Sequence, residues 1–288
     1  MIKYLIIASG GQDFFKEFAA IYTLIKKEFI KLENIEKIYG TSAGALISVL
    51  LSLNLDIEII YKYILERPWE KLFNIDTERL FSAYGNNGIF DFNILNKCFS
   101  PILKLTTLPE DFTFNDIYEY SGKKIYCFAT NYKTINLQEF SYDKTPNFSV
   151  KKSIYMSSSI PIVFKPLKYE GTYYIDGAFS ARFPIHEFLK DNSGCNLDEI
   201  LGIDIHQSFS EKNDDNIFTF NIGLLNNFIK STSDKKYYGE IKYILQISSN
   251  NFLLNELYDM LRNKSKRLEY FNSGKKDAEI FIKYFKHF

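Results

Sequence analysis

Gly40-Thr41-Ser42-Ala43-Gly44 sets one serine between two glycines, at the point where the pattern changes from strand to helix. Before it, Ile35-Glu36-Lys37-Ile38-Tyr39 reads as a short strand. After it, residues 45–53 form an apolar run that reads as a helix. A serine on such a sharp turn has its hydroxyl pushed clear of the backbone, beside the free amides of a helix N-terminus. The flanking Gly40 and Gly44 are needed because a Cβ would clash in the turn. This is how a nucleophile is presented to an ester carbonyl. Taken alone, the five residues also fit an ordinary glycine-flanked helix start, so the reading depends on what surrounds them.

Upstream lies a buried-type strand over residues 4–8, then the turn Ser9-Gly10-Gly11. Apolar side chains at Phe14, Phe18, Ile21, Leu24, Ile25 and Phe29 recur at helical spacing and predict a helix over residues 14–30. The order β-α-β-turn-α within the first 53 residues predicts an α/β fold with a central, mostly parallel sheet flanked by helices in three layers. Residues 56–119 read as short helices and loops, with a turn at Asn86-Asn87-Gly88. Strands follow at 124–130 and 137–141, and a helix at 149–157 is broken by Ile160-Pro161. A hairpin is expected around Glu170-Gly171 and another buried strand at 200–205. Residues 208–216 read as an exposed loop, 243–247 as a further strand and 276–285 as the last helix. The expected organisation is a single domain over 1–288, with a helical insertion at about 56–120 and a C-terminal helical region at about 217–288.

Composition narrows the function classes. Lysine plus arginine and aspartate plus glutamate number 35 each, so the formal net charge is zero and no global field draws the chain to nucleic acid. Hydrophobic residues at 46% and aromatics at 17% are ample for a large core. The three cysteines, Cys98, Cys127 and Cys195, have neither metal nor redox spacing, and no metal or cofactor is expected. The N-terminal apolar run is too short for a signal peptide, and no stretch approaches a spanning helix. The expectation is a cytoplasmic protein, with peripheral contact at membranes.

A second motif, Asp176-Gly177-Ala178, ends the apolar run Tyr173-Tyr174-Ile175. By itself it fits a turn-capping aspartate. Upstream of it, Met156-Ser157-Ser158-Ser159-Ile160-Pro161 closes a helix; downstream, the chain ends with Gly274 and Ala278 before Phe281. Together, and in this order, these blocks resemble the patatin-like phospholipases, serine acyl hydrolases that use no metal. The paired G-x-S-x-G and D-G-A motifs, with the block that connects them, carry the resemblance. It implies a Ser-Asp dyad: Ser42 as nucleophile, Asp176 as general base, and an acyl-enzyme that water cleaves. The implied substrates are phospholipids, lysophospholipids or other acyl lipids. Gly40, Gly44 and Gly177 would support the two motifs.

The family's glycine-rich oxyanion loop is altered. Gly10, Gly11 and Gln12 stand where its backbone amides would hold the oxyanion. Matching the helix that follows places Lys16 at the family's cationic position and Glu17 where glycine is expected. Asp13 would set a carboxylate against a developing negative charge. Two other readings remain open here. One is a Ser-His-Asp enzyme using Ser42 with His206 near Asp204. The other is a catalytically weak or inactive relative that binds acyl chains or membrane surfaces, its aromatics Trp69, Phe73, Phe81, Tyr84 and Phe90 lining a lipid cleft.

Overall fold

Apolar side chains of the N-terminal run form β1 (Tyr4–Ile7), and the glycine turn leads through a 3-10 turn (Gly11–Asp13) into α1 (Phe14–Lys26). The computed structural model describes residues 1–75, 79, 83, 85–207, 217–231, 241–249 and 254–286; the loop read at 208–216, and Phe81 and Tyr84, lie outside them. Helix α1 stops four residues earlier than its spacing predicts. Glu28 adopts φ 57°, Phe29 N–H bonds back to Leu24 O, and Glu28 N–H to Ile25 O. This is a Schellman closure that folds Phe29 and Ile30 onto the core without continuing the helix.

Strand β2 (Lys37–Thr41) lies parallel to β1 with Gly40 opposite Ile7, and α2 (Ala43–Leu51) begins directly after Ser42. The chain continues through α3 (Ile57–Glu66), β3 (Gly88–Phe90), α4 (Asn93–Leu103), α5 (Phe114–Ser121), β4 (Lys124–Asn131) and β5 (Leu137–Ser141). Next come α6 (Val150–Ser157), β6 (Ile162–Phe164), β7 (Leu167–Tyr169), β8 (Thr172–Asp176), α7 (Ala178–Ala181) and α8 (Ile185–Asp191). Strand β9 (Ile200–Gln207), α9 (Ile217–Ser231), β10 (Tyr243–Ser249), α10 (Leu254–Arg262) and α11 (Lys264–Lys286) complete the described chain.

The main sheet runs β10-β9-β1-β2-β4-β8-β7, the first five strands parallel and the last two antiparallel; β3 and β6 pair separately. Alternate residues of the central strands feed two cores. Leu5, Ile7 and Ile38 pack with α1 and α2, whereas Ile6, Tyr39 and Tyr126 face the other way, against Ile185 and Phe188 of α8. Both faces are therefore covered, as a parallel sheet requires.

Helix α11 starts twelve residues before the helix read from the sequence. Its first turns are anchored by Arg267, which is buried and donates to the carbonyls of Leu65, Arg67, Met260 and Leu261. Further along, the backbone of Lys16 fills the space that a Cβ on Gly274 would need. Positions 267, 270 and 274 are inward-facing yet hold Arg, Tyr and Gly, so a pattern of aliphatic residues does not reveal these turns.

Candidate active site

The site forms where two strand ends meet along one edge of β4. Cys127 pairs with Gly40 of β2 on one side and Phe140 of β5 on the other, while Thr130 pairs with Ile175 of β8 and Leu137 of β5. Strands β2 and β8 therefore share the same edge of β4. They run toward each other, β2 ending with Thr41 opposite Phe128 and β8 ending with Asp176 opposite Ala129. Ser42 and Asp176 consequently abut, although 134 residues separate them. Ser42 Oγ donates to Asp176 Oδ2 at 2.6 Å, and both residues are buried.

Ser42 has φ 53° and ψ −114°, a left-handed strain that a non-glycine residue holds only where its surroundings enforce it. The enforcing contacts are backbone approaches. A Cβ on Gly44 would lie 2.4 Å from Ile7 O, and one on Gly177 would lie 2.1 Å from Phe128 O. With no side chain at either position, the start of α2 closes on the end of β1 and the turn after Asp176 closes on β4.

Burial pushes the Asp176 carboxyl from its ordinary 3.8 up to about 7, against the opposing pull of hydrogen bonds from Ser42 Oγ and Ala178 N–H. The Ala178 bond, 2.8 Å to Oδ1, fixes the carboxylate plane and leaves Oδ2 for the serine.

The end of α6 holds both partners in place. Ser157 Oγ accepts from Ser42 N–H at 2.8 Å, and Ser157 O accepts from Gly177 N–H at 3.0 Å. Ser159 O accepts from Asp176 N–H at 3.0 Å, while Ser159 Oγ donates to Tyr155 O. The sequence marks this serine run only as a helix end; its positioning role depends on contacts made across 115 residues. Ser42 N–H is therefore already used.

Gly10 and Gly11 are the oxyanion donors expected from the sequence. Ser9 N–H is taken by Arg182 O and Asp13 N–H by Gly10 O. Between them, the Gly10 and Gly11 amides carry no hydrogen bond among the described residues, and Gly11, at φ 53°, lines the same cavity as Ser42. Gln12 is buried, and its side chain reaches Glu256 at 3.4 Å. The Asp13 carboxylate does not stand as a bare charge, contrary to the concern raised by the sequence. Lys16 Nζ pairs with it at 2.9 Å, and Ser249 Oγ donates to it. Glu17 is wholly buried, both its carboxyl oxygens are unpartnered among the described residues, and it occupies the space where a Cβ on Gly10 would project. Burial raises its pKa well above the ordinary value, assisted by Asp13 and Asp204 and opposed by Arg182.

Above Ser42 opens a cavity of about 200 Å³. Its walls come from α2 (Leu46, Leu50), from α3 and the 3-10 turn beyond it (Ile64, Trp69), from β3 and α4 (Phe90, Leu95, Phe99), and from α10 (Leu257, Leu261). Trp69, Phe73 and Phe90, three of the aromatics singled out in the sequence, are wall residues. Such a space accepts an alkyl chain and offers almost nothing to a charged group.

The histidine alternative finds no support in this geometry. Asp176 is the hydrogen-bond partner of Ser42, Asp204 pairs with Arg182 at 2.8 Å, and His206 is exposed on β9. Among the described residues no group of three His, Cys, Asp or Glu is arranged to hold a metal, and no helix is long and apolar enough to cross a membrane.

A strand-elbow-helix serine bonded to a strand-end aspartate, on a mostly parallel sheet covered by helices, is the arrangement this fold presents. The family model described as patatin-like phospholipase matches residues 5–189, and the chain belongs to that family. It is 30% identical over 163 residues to the "Probable lipid hydrolase 463L" of Invertebrate iridescent virus 6, a match spanning 56% of each protein. It is 27% identical over 250 residues to an uncharacterized protein of Acanthamoeba polyphaga mimivirus, covering 86% of this chain and 80% of that one. Among solved structures, VipD from Legionella pneumophila superposes with a TM-score of 0.52 at 16% identity, over 94% of this chain and 67% of that one, a likeness of fold.

Proposed function

We propose that the chain is a lipid acyl hydrolase that cleaves fatty-acyl esters of phospholipids or lysophospholipids through a Ser42–Asp176 dyad and an acyl-enzyme. Family membership supports lipid hydrolysis in general. The observation that carries the finer reading is the 2.6 Å bond from Ser42 Oγ to Asp176 Oδ2 at the floor of an apolar cavity.

In this mechanism Asp176 takes the Ser42 proton as Oγ attacks the ester carbonyl. A carboxyl whose pKa is about 7 is ionised in a large fraction of molecules at neutral pH and is a stronger base than an exposed aspartate. The tetrahedral oxyanion is held by the Gly10 and Gly11 amides, with Gln12 completing the loop, and by the N-terminal end of α2. Collapse of the intermediate breaks the ester C–O bond, and Asp176 returns its proton to the departing alkoxide. Water then attacks the acyl-enzyme, giving a proton to Asp176, and Ser42 recovers its hydrogen as the fatty acid leaves.

Peripheral contact with a lipid surface fits the exposed apolar side chains Phe220, Leu224 and Phe228, which recur every four residues on α9. The Phe228 ring packs on Phe179, three residues beyond Asp176, so this face adjoins the site. The test is covalent labelling by a serine-reactive alkyl phosphonate, together with product analysis on mixed phospholipid vesicles. Wild-type protein is expected to label and to release free fatty acid, and Ser42→Ala to do neither. Equal release by both would refute the assignment.

A further inference from the structure

The hydroxyls around the acyl cavity have partners, with one exception. Ser42 bonds to Asp176; Tyr155 donates to the carbonyls of Phe90 and Lys165; Tyr63 donates to Cys98 O; and Tyr258 accepts from Arg262. The indole N–H of Trp69 donates to Ile64 O. Ser158 also lines the cavity, and its Oγ is buried with no hydrogen-bond partner among the described residues. A buried hydroxyl left unpaired is a net cost to the fold, whereas alanine at the same position would carry no such cost.

The position of Ser158 gives that cost a use. Its neighbours Ser157 and Ser159 bind the backbone amides of Ser42, Asp176 and Gly177, so residue 158 is fixed relative to the reacting pair. Its own amide bonds back to Ile154 O, which leaves the side chain, one χ1 rotation from each staggered position, as the free polar group. The surrounding walls are apolar, so the polar part of an acyl substrate that enters here is its ester.

We propose that Ser158 Oγ donates a hydrogen bond to the ester carbonyl oxygen of the bound acyl substrate, making Ser158 a substrate-contacting residue that selects an ester at the cleavage point. The inference rests on the hydrolase reading, and its test separates the two.

The affinities of Ser42→Ala and of Ser42→Ala/Ser158→Ala are measured for a lysophospholipid ester and for its alkyl-ether analogue, which has the same chain and no carbonyl. Ser158→Ala should weaken ester binding about tenfold and leave ether binding within about twofold. With Ser42 present, Ser158→Ala should lower kcat/KM on p-nitrophenyl octanoate at least tenfold without lowering Tm, and Ser158→Thr should recover part of the loss. Equal weakening for ester and ether would mean a packing role and overturn the proposal, as would unchanged ester affinity. If wild-type protein hydrolyses no ester, the activity reading fails, and the ester-ether comparison still decides the role of Ser158.

Discussion

Asp176→Asn separates catalysis from stability in opposite directions, because the carboxylate is held where water would not place it. The native carboxyl titrates near pH 7 and the unfolded one near 3.8. Between those values the folded state binds the extra proton, so this group's contribution to stability declines as pH rises through the window and is fully lost above about pH 7. The interval from 3.8 to about 7 corresponds to about 4 kcal/mol of destabilisation at alkaline pH. Asparagine removes that term but provides one acceptor oxygen where the carboxylate has two. With that oxygen kept on the Ala178 amide, an NH2 group replaces Oδ2 and the Ser42 hydroxyl loses its acceptor, at a cost of about 1–3 kcal/mol.

The balance at pH 8.5 favours Asp176→Asn by roughly 1–3 kcal/mol, a rise in Tm of a few degrees at about 2–4 °C per kcal/mol. Below about pH 4 the advantage should vanish and the variant should be the less stable protein. Thermal unfolding of both proteins from pH 4 to 8.5 reads this crossing. Over the same range wild-type kcat/KM should rise about tenfold per pH unit up to about pH 7 and then level off, whereas the variant should be flat with pH and reduced about a thousandfold on the plateau above pH 7. Two results would refute the reasoning: a pH-independent stability difference, or a variant that keeps a tenth of wild-type activity at pH 8.

Gly177→Ala should destabilise the protein by about 3 kcal/mol or more, since the new Cβ would lie 2.1 Å from Phe128 O and 2.9 Å from Thr41 Cγ2; denaturant unfolding, or loss of soluble expression, checks it. Glu17→Gln keeps the shape of a wholly buried carboxyl whose pKa is raised well above the usual range. It should retain activity within about threefold at pH 6 and be more stable than wild type above pH 8, as read by esterase assay and thermal unfolding. A collapse of activity at pH 6 would show that the loop at Gly10 needs an ionised Glu17.

Some of this protein was written in local sequence. The elbow around Ser42 was legible because a turn that tight tolerates only small residues at Gly40 and Gly44, a requirement settled within five positions. The alternation of strand and helix up to residue 53 was legible because hydrophobic periodicity reports which face of each element is buried. The ends of elements were less so. Phe29 continues the spacing of α1 but belongs to its Schellman closure, and the start of α11 is hidden behind Arg267, Tyr270 and Gly274, which are inward-facing without being aliphatic.

The electrostatic surroundings of the turn at Gly10 and Gly11 could not be read from residue order. Asp13 is paired with Lys16, three residues away and one helical turn along, and accepts a hydrogen bond from Ser249, which arrives from β10. Nor could the serine run at the end of α6 be recognised as the clamp on Ser42 and Asp176, because hydrogen bonds between distant segments leave no periodic trace. By itself the sequence determined the family, the sharp turn at Ser42 and the aspartate at a strand's end, since each depends on backbone geometry a few residues long. The tertiary structure alone decided that β2 and β8 meet end to end on one edge of β4. That meeting brings Oγ within 2.6 Å of a carboxylate, and the burial it entails lifts that carboxylate's pKa toward 7.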